Sequence, residues 1–145
     1  MTNDLEKIIK DWTAAWNSHD LDKTISLYTD DCVLEDNLDV VCHGKKELVA
    51  FCKSTFIDFP DLRLESKSLF NTVNWVALEW TMTGIQAHSS NAATPATGKS
   101  VSVRGASIIE IHNGKIRRET YYYNVLTVMR QLGLIHGMPQ RMIIP

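Results

Sequence analysis

The chain has 145 residues, 44% of them apolar and 22% charged, and its 15 basic and 17 acidic side chains give a formal charge of -2. That length suits one domain over residues 1–145, with enough apolar material for a core and a small-molecule cavity. The near-neutral balance argues against nucleic acid or an anionic membrane as partner, and no apolar run reaches the roughly 18–20 residues that span a bilayer.

Residues 4–18 place Leu5, Ile8, Ile9, Trp12 and Trp16 at helical spacing, which predicts an amphipathic helix closed by Asn17 and Ser18. Glu6, Lys7, Lys10 and Asp11 interrupt it, so a signal peptide is not expected and the protein reads as cytoplasmic. Asp20 is placed to cap a second helix carrying Leu21, Ile25, Leu27 and Tyr28, which Asp30 and Asp31 interrupt. A short strand and an irregular segment are expected over 32–42, and a third helix over 45–57, with Pro60 just beyond it.

From residue 62 the period changes to two. Strands are expected over 62–70, 73–84, 100–111 and 115–123. The polar segment 86–98 reads as a long loop, and His112-Asn113-Gly114 is the clearest hairpin signal. Asn124 is placed to cap a last helix that Gly133 ends, and the apolar tail Arg141–Pro145 is expected to pack against a sheet edge or a partner. Helices followed by an antiparallel meander predict an α+β fold: a cone-shaped roll, its N-terminal helices packed on a strongly curved mixed β-sheet that encloses a pocket.

No local catalytic motif is present, the five histidines are scattered, and the three cysteines (Cys32, Cys42, Cys52) read as buried free thiols, so no metal and no cofactor are expected. His88 lies on the loop that could cover a cavity mouth, and His43 sits beside Gly44 as a candidate for the cavity rim. Asp36 alternates with Leu34 and Leu38, which makes it the acid expected to face a cavity, where burial would raise its pKa into the range of a neutral-pH acid or base. Trp16 and Trp80 are candidates for the cavity wall. On the last strand Arg118, Thr120, Tyr122 and Asn124 share one parity, and Arg117, Glu119, Tyr121 and Tyr123 the other. A one-residue slip in register exchanges the two faces. Arg104, Arg117, Arg118, Glu110 and Glu119 also read as cross-strand ion pairs on the solvent face.

Trp16-Asn-Ser-His-Asp20, Tyr28-Thr-Asp-Asp31, Gly44 with the helix to Phe59-Pro-Asp61, Trp80-Thr-Met-Thr-Gly84, Thr97-Gly-Lys99, Arg104-Gly105, Asn113-Gly-Lys-Ile116 and Tyr122-Tyr-Asn124 with the stretch to Gly133 together carry a resemblance. In order and spacing they resemble the SnoaL-like polyketide cyclase branch of the nuclear-transport-factor-2-like superfamily, over nearly the whole chain. The resemblance implies a cone of helices and curved sheet around a deep pocket, and a homodimer through the sheet. It also implies cofactor-independent proton transfer or enolate stabilisation on a small, flat, hydrophobic carbonyl compound. Isomerase-like, hydroxylase-like and purely binding relatives are the alternatives. Ring-closing members use an aspartate at the end of the last long strand as base, and the matching position here is Asn124. An amide cannot take up that proton at neutral pH, so Asp36, His43 or Glu79 would have to supply the base. Tyr122 and Asn124 would then donate hydrogen bonds to the ligand, with Trp16, Trp80, Glu79 and Arg104 around it.

Overall fold

The computed structural model describes residues 2–137, so the expected packing of the apolar tail lies outside the described residues. The first helix, α1 (Thr2–Ser18), forms where the apolar residues repeat every three to four positions, and it buries Leu5, Ile9, Trp12 and Trp16. His19 ends it in the left-handed region (φ 56°), a conformation a non-glycine residue holds only when its surroundings secure it. Here they do. The ring Nε2 donates to the Leu62 carbonyl at 2.7 Å, and the imidazole stacks on Phe56 with centroids 4.9 Å apart. Asp20 then caps α2 (Leu21–Ser26) by accepting from Lys23 N at 2.9 Å.

Strand β1 (Tyr28–Asp36) begins four residues before the expected short strand. Tyr28 is fully buried and pairs with Ile116, so the exposed Asp30 and Asp31 lie on the solvent side of a strand irregularity and do not end the strand. A loop leads to β2 (Val41–His43) and then to α3 (Gly44–Asp58). The remaining strands are β3 (Arg63–Asn71), β4 (Trp75–Ile85), β5 (Ser100–His112) and β6 (Lys115–Tyr123), followed by α4 (Val125–Gln131). Asn113 (φ 50°) and Gly114 (φ 74°) make the tight β5–β6 hairpin turn with both central residues left-handed. Asn124 caps α4, accepting from Thr127 N at 3.1 Å.

The six strands form one mixed sheet in the order β2-β1-β6-β5-β4-β3, with β1 and β6 parallel and every other pair antiparallel. This corrects the expected cone-shaped, strongly curved roll. The ladder is open, β2 and β3 are unpaired with each other at opposite edges, and the sheet is neither closed nor strongly curved. Closure is not needed for burial, because α1 packs on β3 and α3 on β1 and β2, and these helices cover the inner face. Val76, Leu78 and Trp80 of β4 and Val103, Ile109 and Ile111 of β5 point into that layer, whereas Trp75, Ile108 and Tyr122 stay exposed on the other face.

One irregularity sets the orientation of β6. Ile111 pairs with Ile116 but Glu110 pairs with Arg118, so Arg117 is an extra residue. Beyond that bulge the inward parity changes, and Glu119, Tyr121 and Tyr123 follow Ile116 onto the inner face. The Trp16-Asn-Ser-His-Asp20 run also has a mechanical role, since the Asn17 amide bridges α1 to β3. It donates to the Leu64 carbonyl at 2.8 Å and accepts from Leu64 N at 2.6 Å. Asn17→Ala removes both bonds, and chemical denaturation is expected to show a loss of roughly 1–3 kcal/mol with an unchanged denaturant slope.

Candidate functional site

Between the helices and the inner sheet face lies a cavity of about 100 Å³, and its wall is mostly apolar: Leu34, Phe51, Leu62, Leu64 and Met82 with the rings of Trp12, Trp16, Trp80 and Tyr121. One acid lines it. Glu119 is 3% exposed, and its two carboxyl oxygens are held from the strands on either side of β6. Tyr28 of β1 donates its hydroxyl to Oε2 at 2.7 Å, and Ser107 of β5 donates to Oε1 at 3.3 Å. Each hydroxyl is oriented in turn by an indole. Trp12 Nε1 donates to the Tyr28 hydroxyl at 3.0 Å, and Trp80 Nε1 donates to Ser107 Oγ at 2.9 Å. Gly105 lets the Trp80 ring lie against β5, since a Cβ there would run into the ring.

Burial dominates the acid's titration. It pushes the Glu119 carboxyl up to about 7, against the opposing pull of the Tyr28 and Ser107 hydrogen bonds and the nearby Trp12 indole. Burial, followed by the adjacent Glu119 charge, holds the Tyr28 phenol well above its ordinary value, so it stays a donor. Oε1 has the longer of the two contacts and is the oxygen freer to exchange a proton with a cavity occupant. The third indole differs from the other two. Trp16 lines the cavity, and its Nε1 is buried with no hydrogen-bond partner, at a cost of roughly 1–3 kcal/mol for an unmet donor.

The residues singled out from the sequence divide between two faces. Trp16 and Trp80 stand in the cavity wall. Asp36 is half-buried at the end of β1, where Oδ1 accepts from Leu38 N at 2.8 Å and Val40 N at 3.1 Å, and Oδ2 accepts from the Tyr121 hydroxyl at 3.4 Å. Its carboxylate therefore folds the turn after β1 and contacts the cavity only through Tyr121. His43 is exposed at the start of α3, with its backbone N–H donating to Glu47 Oε2 at 2.7 Å. Glu79, Arg104, Tyr122 and Asn124 line a larger, open depression of about 990 Å³ on the opposite, solvent-facing side of the sheet. His88 is exposed, and its backbone is tied to the Asp58 carbonyl.

Sequence reasoning missed Glu119 because it follows Arg117 and Arg118 and reads as one more surface ion pair. The two arginines do pair outward, Arg117 with Glu110 at 2.7 Å and Arg118 with Glu35 at 3.4 Å. The available signal was its shared parity with Tyr121 and Tyr123. The three cysteines are free and buried, and burial pushes Cys42 up to about 11 and Cys52 up to about 12, so they serve as packing. Among the described residues no cluster of His, Cys, Asp and Glu could hold a metal ion, and no helix is long and apolar enough to cross a membrane.

Glu119 has a measurable signature. Its raised pKa means the folded chain binds a proton that the unfolded chain has released between about 4.5 and 7. Stability from this group is therefore full below the unfolded value and lost as pH rises through about 7. Parallel denaturation of the parent and Glu119→Gln is expected to show a decline of roughly 3 kcal/mol from pH 4.5 to 8 in the parent that is missing in the variant.

Solved structures with the same architecture are numerous. AclR, a candidate hydroxylase from Streptomyces galilaeus, superposes with a TM-score of 0.78 at 25% identity, over 93% of this chain and 84% of its own. A candidate SnoaL-like polyketide cyclase from Jannaschia sp. CCS1 gives 0.81 at 18% identity, over 93% and 94%. TsrD from Streptomyces laurentii gives 0.80 at 20% identity, over 92% and 97%. Among curated proteins none is significantly similar in sequence. The family model of the SnoaL-like polyketide cyclases matches residues 6–132, from within α1 to just past α4, and the chain belongs to that family.

Proposed function

We propose that the protein is a proton-transfer enzyme for a small, uncharged carbonyl compound, with Glu119 as its acid–base group. The observation that carries this is a single carboxyl, fixed on both oxygens, in the wall of an otherwise apolar cavity. In its ionised form Glu119 takes a proton from a carbon next to the carbonyl, leaving an enolate. Its conjugate acid then returns the proton to that carbon or to another in conjugation. A pKa near the working pH keeps both forms populated, and the apolar wall excludes water that would solvate the carboxylate. Trp80 and Tyr121 are walls in this reading, and Asp36 is a positioning residue acting through Tyr121. Family membership supports a catalytic or ligand-binding role in general.

A second reading, ligand binding without reaction, is favoured by Asn124. The residue at the family's base position is an amide, and it is occupied in capping α4. Proton–deuterium exchange next to the carbonyl of cyclopentanone, followed by NMR, separates the two. Exchange is expected to rise with pH through about 7 and to fall about 100-fold or more in Glu119→Gln. Binding without Glu119-dependent exchange would leave only the second reading.

We propose separately that two copies of the chain meet on the uncovered sheet face. Phe70, Ile108 and Tyr122 are exposed there, and Glu79 and Arg104 put one acidic and one basic side chain on the same face. Light scattering is expected to give a dimer that Ile108→Glu converts to a monomer, and a monomeric parent at high micromolar concentration would exclude this pairing.

A further inference from the structure

The two oxygens of Glu119 have unlike surroundings. Both relays that end on them begin at an indole, and an indole N–H donates and cannot accept. Tyr28 therefore accepts from Trp12 and gives its own hydrogen to Oε2, and Ser107 accepts from Trp80 and gives its own to Oε1. Every hydrogen in both rows points inward, which satisfies the ionised carboxylate. The neutral acid brings an additional hydrogen, and this must displace one of the two hydroxyl hydrogens aimed at the carboxyl group.

Displacement at Oε2 is the costlier. Among the described residues the Tyr28 hydroxyl has two partners, Trp12 Nε1 at 3.0 Å and Oε2 at 2.7 Å, the latter close to the length of a charge-assisted bond. A phenol O–H stays near the plane of its ring, so a hydrogen turned away from Oε2 has one other direction, and Tyr28 is fully buried, beyond the reach of bulk water. Burial and the adjacent Glu119 charge hold the phenol well above its ordinary value, so the hydrogen stays on its oxygen. Displacement at Oε1 gives up only the 3.3 Å contact. The Ser107 hydroxyl turns among three staggered positions, and Oγ has two lone pairs of which Trp80 takes one, so it can accept from Oε1 once its own hydrogen has moved. The cavity lies on the same side. The Oε1 contact joins two residues of the cavity wall, whereas the Oε2 contact leads to Tyr28, which is outside that wall.

We infer that Tyr28 and Ser107 are positioning residues with unequal parts: Tyr28 holds Oε2 as a permanent acceptor, the proton that Glu119 gains and loses is carried on Oε1 alone, and the Ser107 hydroxyl turns to follow it. This rests on the proton-transfer reading only for the source of the proton. As a substrate C–H bond breaks, its electron pair stays on the substrate as the enolate and its proton bonds to Oε1. On return the Oε1–H electron pair stays on the carboxylate, and the Ser107 hydrogen swings back. The other titratable groups that the Glu119 charge reaches, Tyr121 on its own strand and Cys52 on α3, are both pushed up by burial and stay neutral throughout.

The carbonyl stretch of the neutral acid tests the assignment, because it belongs to the oxygen without the proton and falls in frequency when that oxygen accepts a hydrogen bond. Infrared difference spectra are recorded on the ligand-free protein between about pH 5.5 and 8.5, with the Glu119 band identified as the one missing from Glu119→Gln. In the parent the band is expected below the frequency of a monomeric carboxylic acid in an alkane. In Tyr28→Phe it is expected to rise toward that frequency, and the titration midpoint to move up by roughly one pH unit. In Ser107→Ala the band is expected nearly unmoved, with a smaller rise in midpoint. A parent band at the free-acid frequency, a larger band shift in Ser107→Ala than in Tyr28→Phe, or a Tyr28→Phe midpoint that stays or falls would overturn the inference. Should Tyr28→Phe fail to fold, the parent and Ser107→Ala still decide, since a Ser107→Ala band at the free-acid frequency places the proton on Oε2. The spectra are independent of exchange. The expected bands without cyclopentanone exchange in the parent would leave the oxygen assignment standing and remove the proton-transfer reading, and exchange with the band shifts reversed would do the opposite.

Discussion

The burial of one carboxyl group constrains most of this molecule. A carboxyl taken out of water needs hydrogen-bond partners on both oxygens, and the partners must be fixed because water cannot replace them. Glu119 receives them from the two strands that flank its own, Tyr28 from β1 on one side and Ser107 from β5 on the other. Those hydroxyls are aimed by indoles from α1 and β4. Five elements therefore converge on a single side chain, among them the parallel β1–β6 pair, the one long-range pairing that joins the first half of the chain to the last strand. Burial shifts the acid's proton equilibrium up toward neutrality, and these hydrogen bonds hold that shift back.

Much of the architecture could be read from short stretches of sequence, because its causes are local. The helical period of Leu5, Ile9, Trp12 and Trp16, the caps at Asp20 and Asn124, and the Asn113-Gly114 turn each depend on a few neighbouring residues. What escaped the sequence depends on distant ones. The start of β1 at Tyr28 is decided by a partner on β6, and the openness of the sheet by helices that already cover its inner face. The acid was hidden for the same kind of reason. Nothing between residues 115 and 123 announces the extra residue that turns Glu119 inward, and its arginine neighbours suggest solvent. Asp36 alternates with apolar positions as a cavity-facing acid would, yet its carboxylate is engaged by the turn that follows it.

Several of the segments that carry the family likeness turn out to be joints. In Trp16-Asn-Ser-His-Asp20, Asn17 ties a helix to a strand, His19 holds a left-handed residue, and Asp20 starts the next helix. Asn124 does the same for the last helix. Likeness built on joints reports the scaffold faithfully, and the likeness segments that reach the cavity, with Tyr28, Trp80 and Gly105, surround the buried acid without including it.

The extra residue at Arg117 acts on the strand as a shift acts on a reading frame. Side chains alternate strictly, so everything downstream is read in one phase or the other. In the present phase a carboxyl and two phenols face the interior. In the other phase Arg118, Thr120, Tyr122 and Asn124 would face it, and a guanidinium would approach the place the acid now holds. Two pockets of opposite charge are thus written in the same residues. A single insertion or deletion near the hairpin, with no substitution anywhere in the pocket, would be enough to pass from one to the other.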